Sequence, residues 1–223
     1  MTRSPRPLWL ATAAVLLAGC ARPAAHAEPT HSRYLFVWAM EARTPHTSEA
    51  ALMSDHMDAY RRGMAGGKDF LAVFDVGPDA RPFGQLVAML PVGEALMAHH
   101  THYSLPPDDV LYANDWLGNR TYVFDLRDAE QPALLREFGS VGKYGYPHSF
   151  AHLSNGHTLA TFQYSGGFNV APGGLVELDG EGRVVRTSDA ADGAADPDIR
   201  PYSLAVSEKL DRVVTSGAPA ASS

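Results

Sequence analysis

The sequence predicts an all-β fold, a β-propeller of four-stranded blades with about three and a half blades present, and three observations predict it. The first is a repeat. Aligned on His100 and His148, both segments have Leu five residues later (Leu105, Leu153), Leu eleven later (Leu111, Leu159) and a small residue thirteen later (Ala113, Thr161). A third copy without histidine begins at Pro201, with Tyr202 in the same place, Val213 eleven later and Thr215 thirteen later, so the period is 48 and then 54 residues. The second observation is an independent register: Val73-Phe74-Asp75, Val123-Phe124-Asp125 and Val176-Glu177-Leu178 recur at intervals of 50 and 53. The third is that short apolar and β-branched runs alternate with Gly, Pro, Asn and Asp turns, and no long 3.6-residue period occurs outside residues 48–61.

The elements follow in order. Residues 34–39 are dense in aromatic and β-branched side chains and read as a buried strand. Residues 48–61 place Leu52, Met53, His56 and Tyr60 near one face, which predicts a short surface helix. Strands follow at 70–76 and 85–90, joined by a Gly/Pro/Asp-rich turn. From His99 four strands are expected, at 99–105, 110–114, 121–126 and 133–138, and the copy beginning at His148 repeats them around Asn155-Gly156 and Asp179-Gly180-Glu181-Gly182 turns. The repeat stops inside a fourth unit near Ser216, and residues 217–223 are expected to form a disordered tail. An incomplete ring leaves strand edges unpaired, so self-association or a second chain completing the propeller is expected.

The N-terminus reads as an export leader. Arg3 and Arg6 precede an apolar run from Leu8 to Leu17, too short to span a bilayer, and the run ends in Leu17-Ala18-Gly19-Cys20. That ending looks like a bacterial lipobox, which implies a signal peptide over residues 1–19, lipid attachment at Cys20, a flexible tether over 20–32 and a place on the periplasmic side of the cell envelope. Cys20 is the only cysteine, which excludes an internal disulfide and a thiolate metal site. Without the leader, 16 basic residues face 25 acidic ones; no basic stripe is present and no nucleic-acid partner is expected.

The candidate chemistry rests on histidine. In a propeller the first strand of each blade lines a common channel, so His100, His148 and Tyr202 would converge. Alternation along a strand puts His100 and His102 on one face and His99 on the other unless the strand start is irregular. Two readings fit: the imidazoles bind a metal such as copper, zinc, iron or nickel, with His102 and Tyr202 as further candidates, or they cap strand ends inside a packed channel. Asp75 and Asp125 each follow Val-Phe at a strand end, which points to turn capping. Gly166-Gly167 and Gly173-Gly174 resemble no phosphate loop, and no serine or cysteine lies in a nucleophile motif.

Longer stretches carry a family resemblance: Tyr34-Leu35-Phe36-Val37-Trp38, Leu90-Pro91-Val92-Gly93, His99-His100-Thr101-His102-Tyr103, Thr121-Tyr122-Val123-Phe124-Asp125-Leu126, Pro147-His148-Ser149-Phe150, Pro172-Gly173-Gly174-Leu175-Val176-Glu177 and Arg200-Pro201-Tyr202-Ser203-Leu204. With these the sequence resembles the selenium-binding protein family, whose bacterial members include methanethiol oxidases. The resemblance implies a seven-bladed propeller, a metal held by His99, His100 and His148, copper as that metal, and a small thiol as substrate. The reaction it implies oxidises methanethiol to formaldehyde, hydrogen sulfide and hydrogen peroxide. The chain departs from the family pattern at His102, where Glu is usual, at Ala98, where Pro is usual, and in a longer stretch around residues 43–65. The alternative is a non-catalytic exported lipoprotein acting as a binding scaffold or a metal-binding protein.

Overall fold

The computed structural model describes residues 33–41, 67–93, 97–190 and 198–218. The leader, Cys20, the tether and the helix expected at 48–61 lie outside them, so the lipid anchor and membrane attachment have no support in the structure. Among the described residues no helix is long and apolar enough to cross a membrane.

Thirteen strands form among the described residues. β1 (Tyr34–Met40), β2 (Asp69–Asp75) and β3 (Gln85–Val92) make a three-stranded sheet. β4 (Ala98–Thr101), β5 (Val110–Asp115), β6 (Arg120–Asp125) and β7 (Ala133–Phe138) make a second, four-stranded sheet. β8 (Tyr144–His152), β9 (Thr158–Ser165), β10 (Gly174–Leu178) and β11 (Val184–Asp189) repeat that order in a third, and β12 (Pro201–Ser207) pairs with β13 (Arg212–Gly217) in a fourth. Every pairing is antiparallel between sequence neighbours.

Packing follows from the period of two. In β5 and β6, Leu111, Ala113, Tyr122 and Phe124 point toward the first sheet and join Leu71 and Val92, while Tyr112 and Val123 point the other way and join Phe150, Phe162 and Val176 of the third. The second sheet is therefore buried on both faces, and its inner strands read as continuous apolar runs. Fully burying side chains of this size contributes about 1.5–3 kcal/mol each. The fourth strands lie outside this core: β7 and β11 are largely exposed.

The all-β expectation holds and the strand order within each repeat is as read, but the propeller is corrected. The sheets are small and separate, of three, four, four and two strands, and none is closed into a barrel or curled as blades set around a channel must be. The fifty-residue period records how many strands one hairpin series supplies. It does not encode how successive sheets are disposed, which side-chain packing between their faces decides. Boundaries also shift: the strand expected at 99–105 ends at Thr101, and Gly217, assigned to the tail, belongs to β13. Asp75 and Asp125 cap turns, accepting the N–H groups of Gly77 and Arg127 at 3.0 Å each.

One acid is buried without such support. Asp69, at the start of β2, is fully buried, and neither carboxylate oxygen makes a well-formed hydrogen bond, the nearby Ala98 N–H offsetting only part of the burial. Burial, reinforced by the Asp115 charge, pushes its carboxyl up to about 8. A carboxyl whose folded value lies above its unfolded one keeps its proton in the native state while the unfolded chain releases it, so stability falls as pH rises from about 4 to 8. Asp69→Asn is expected to remove that loss, which amounts to at most about 1.4 kcal/mol per pH unit. Urea unfolding of both proteins at pH 5 and pH 8 checks it; equal pH dependence in the two would contradict the assignment.

Candidate metal centre

Three of the sheets carry the same irregularity in their first strand. In β4, His99 and His100 lie opposite the single residue Asn114 of β5, because pairing jumps from Ala98–Asp115 to Thr101–Ala113. In β8, His148 and Ser149 lie opposite Thr161, between Pro147–Phe162 and Phe150–Ala160. In β12, Tyr202 and Ser203 lie opposite Ser216. Each is a bulge of two residues against one, which breaks the alternation of side chains. By register His99, not His100, is the counterpart of His148 and Tyr202.

The bulges place the histidines. Alternation alone would separate His99 from His100, yet both turn toward His148, with ring centroids 4.2 Å apart for His99–His100, 4.8 Å for His99–His148 and 4.2 Å for His100–His148. One ring nitrogen from each of the three lies within 4.8 Å of the others. Nε2 of His99 is 3.2 Å from Nε2 of His148, and two imidazole ligands at tetrahedral angles around one ion lie about 3.3 Å apart. His100 Nε2 is buried with no hydrogen-bond partner. Ser149 Oγ lies 3.4 Å from Nδ1 of His148, on the far side of the ring from His99.

Electrostatics keep the cluster neutral. His148 is fully buried, and burial, then the nearby His100 and His99, holds its ring far below the usual imidazole range. Burial and His100 lower His99 to about 4, and burial lowers His100. At neutral pH the three rings are uncharged, so a cation meets no competing positive charge, and the tautomer of each ring sets which nitrogen offers its lone pair. Such a set fits a divalent ion with borderline or soft character and does not select among copper, zinc and nickel.

The other candidates are placed differently. His102 is turned away: its Nδ1 accepts the Tyr112 N–H at 3.2 Å and its ring packs on Tyr112 and Phe150. Tyr202 stacks on His148, with centroids 3.7 Å apart and planes tilted by 38°. The cluster borders an aromatic wall: the Trp116 ring lies 6.2 Å from His99 and packs with Tyr146, Tyr164 and Phe168 at centroid distances of 5.9–6.3 Å. Asn114, Ser149 and Thr161 were not among the sequence candidates, although polar residues recurring opposite the histidines in otherwise apolar strands are a readable signal.

Fold and site define an all-β chain with a largely buried cluster of three histidines able to chelate a metal ion. The sequence is 32% identical over 98 residues to the methanethiol oxidase of Hyphomicrobium sp, a match that covers 41% of this chain and 21% of that protein. The chain thus spans about a fifth of the length of the curated relative it matches and resembles the methanethiol oxidase and selenium-binding proteins distantly. Among solved structures, a hypothetical selenium-binding protein from Sulfolobus tokodaii is similar at a TM-score of 0.45 and 19% identity, over 52% of this chain and 30% of that one. A protein of unknown function from Bacteroides caccae is similar at a TM-score of 0.43 and 12% identity, over 69% and 48%. No family model matches the chain.

Proposed function

We propose that this chain holds copper through His99, His100 and His148 and oxidises a small thiol, methanethiol being the substrate class of the relative it resembles. The observation that carries the reading is the convergence within 4.8 Å of three uncharged ring nitrogens, from half-buried His99 and His100 and buried His148. A bound copper ion supplies affinity for sulfur together with a redox couple that zinc lacks. The chain's own residues do the rest. The uncharged imidazoles hold the ion, and the Trp116 ring, 6.2 Å from His99, supplies an aromatic neighbour of the kind with which a thiol sulfur interacts favourably. The net reaction converts methanethiol, dioxygen and water into formaldehyde, hydrogen sulfide and hydrogen peroxide, with the thiol carbon oxidised and dioxygen reduced.

A second reading is a metal-binding protein without oxidase activity, favoured by the donor set, since three imidazoles suit zinc or nickel as well as redox-active copper. Oxygen uptake separates the two. The copper-loaded chain with methanethiol is expected to consume dioxygen and release one peroxide and one sulfide per thiol; stoichiometric copper with no oxygen uptake would sustain the second reading instead.

A further inference from the structure

We propose that Asn114 is the positioning residue of the metal centre, the side chain that holds the bulge carrying His99 and His100 against the strand carrying His148; the inference rests on the metal-binding reading above. Asn114 is fully buried at the point where three sheets meet. From the first sheet, Trp38 Nε1 donates to its backbone carbonyl at 2.8 Å. Within the second, its Oδ1 accepts the His100 N–H at 2.5 Å. Toward the third, its Nδ2 donates to the Pro147 carbonyl at 2.5 Å and approaches the His148 carbonyl at 3.5 Å.

The bonds within and between sheets matter for a physical reason. A bulge leaves the N–H of its second residue without a ladder partner, and a buried unpaired N–H is costly. The amide oxygen of Asn114 satisfies that group at His100, while its amide nitrogen, which has no other role in the second sheet, reaches the residue immediately before His148. One rigid planar group thereby sets the separation of the two histidine-bearing backbones. The next junction repeats the device with a hydroxyl. Thr161 Oγ1 accepts the Ser149 N–H at 3.0 Å and donates to the Tyr202 carbonyl at 2.8 Å, which places the tyrosine that stacks on His148. In the fourth sheet Ser216 Oγ accepts the Ser203 N–H at 3.2 Å. The same acceptor role at three bulges, with the donor role turned toward the following sheet at the two that have one, marks a connecting element and not a chance contact.

The test compares Asn114→Leu, which removes both bonds while keeping the branching and number of side-chain heavy atoms, with Asn114→Asp, which keeps the acceptor for His100 and loses the donor to Pro147. Metal affinity is read by competition titration with Co²⁺ and Cu²⁺, the site geometry by the Co²⁺ ligand-field spectrum, and the His100 amide by hydrogen exchange without metal. Asn114→Leu is expected to weaken binding by about 10–100-fold, the usual effect of losing a group that orients a ligand, to alter the Co²⁺ spectrum and to speed His100 exchange. Asn114→Asp should retain His100 protection while still losing affinity. Wild-type affinity and spectrum in Asn114→Leu would overturn the proposal. Should the wild-type chain bind no metal, the functional reading fails separately. The exchange measurement then decides the clamp, with unchanged His100 protection in Asn114→Leu counting against it.

Discussion

His100→Ala/His148→Ala is expected to carry no metal under conditions in which the wild-type chain carries one ion. The two substitutions remove two of the three nitrogens that lie within 4.8 Å and leave His99 alone. His102 does not replace them, because its ring packs on Tyr112 and Phe150 with Nδ1 accepting the Tyr112 N–H, and its unpartnered Nε2 is not among the nitrogens that converge within 4.8 Å. A single His148→Gln change retains side-chain volume at a fully buried position. It should still lower affinity by more than the roughly 100-fold at the top of the range for orienting groups, since a ligand and not its support is lost. Metal content by mass spectrometry, with circular dichroism to show that the variants fold, measures both. Metal retained in a folded double variant would place the binding site elsewhere.

Gly173→Ala is expected to abolish folding. A Cβ there would lie 2.2 Å from the Phe162 carbonyl oxygen, 2.5 Å from that of Gln163 and 2.6 Å from Cδ of Pro201. All three are backbone or ring atoms that cannot swing aside. The residue is also held on both sides, since its N–H donates to Ile199 O at 2.9 Å and its carbonyl accepts the Ala190 N–H at 3.0 Å. The penalty should exceed the 1–3 kcal/mol typical of an overpacked core. Gly180→Ala is the control: its added Cβ would meet nothing closer than 4.0 Å, and a change within about 0.5 kcal/mol is expected. Soluble expression and urea midpoints of the two variants give the answer, and a wild-type midpoint for Gly173→Ala would mean that the junction between the third and fourth sheets yields more easily than its distances allow. Because Pro201 precedes the tyrosine stacked on His148, a partly folded Gly173→Ala should also lose metal.

Much of this was legible in the residues. Hairpin turns at Asn155-Gly156 and Asp179 to Gly182, aspartates after Val-Phe and runs such as residues 110–114 and 121–126 carry local conformational preferences, and the strands lie where those preferences put them. The histidines stood out for the same reason, as polar residues at the start of repeated apolar strands. The orientation of His99 was not legible. Strict alternation assigns it to the face opposite His100, and the rule fails here because one residue of β5 faces two of β4.

The sequence by itself determined the all-β class and the antiparallel hairpin order, which follow from turn chemistry and a period of two along a single stretch of chain, and the repeat singled out His100 and His148, while His99 entered only through the family resemblance. Only the tertiary structure decided that the repeats form separate sheets and not a propeller, that His99 joins His100 and His148 while His102 turns away, and that Asn114 links the strands carrying them. Those outcomes depend on which polar group of one strand satisfies a bulged N–H on another, and on which faces of neighbouring sheets pack together. Both are contacts between residues far apart in the chain, and no local pattern specifies them.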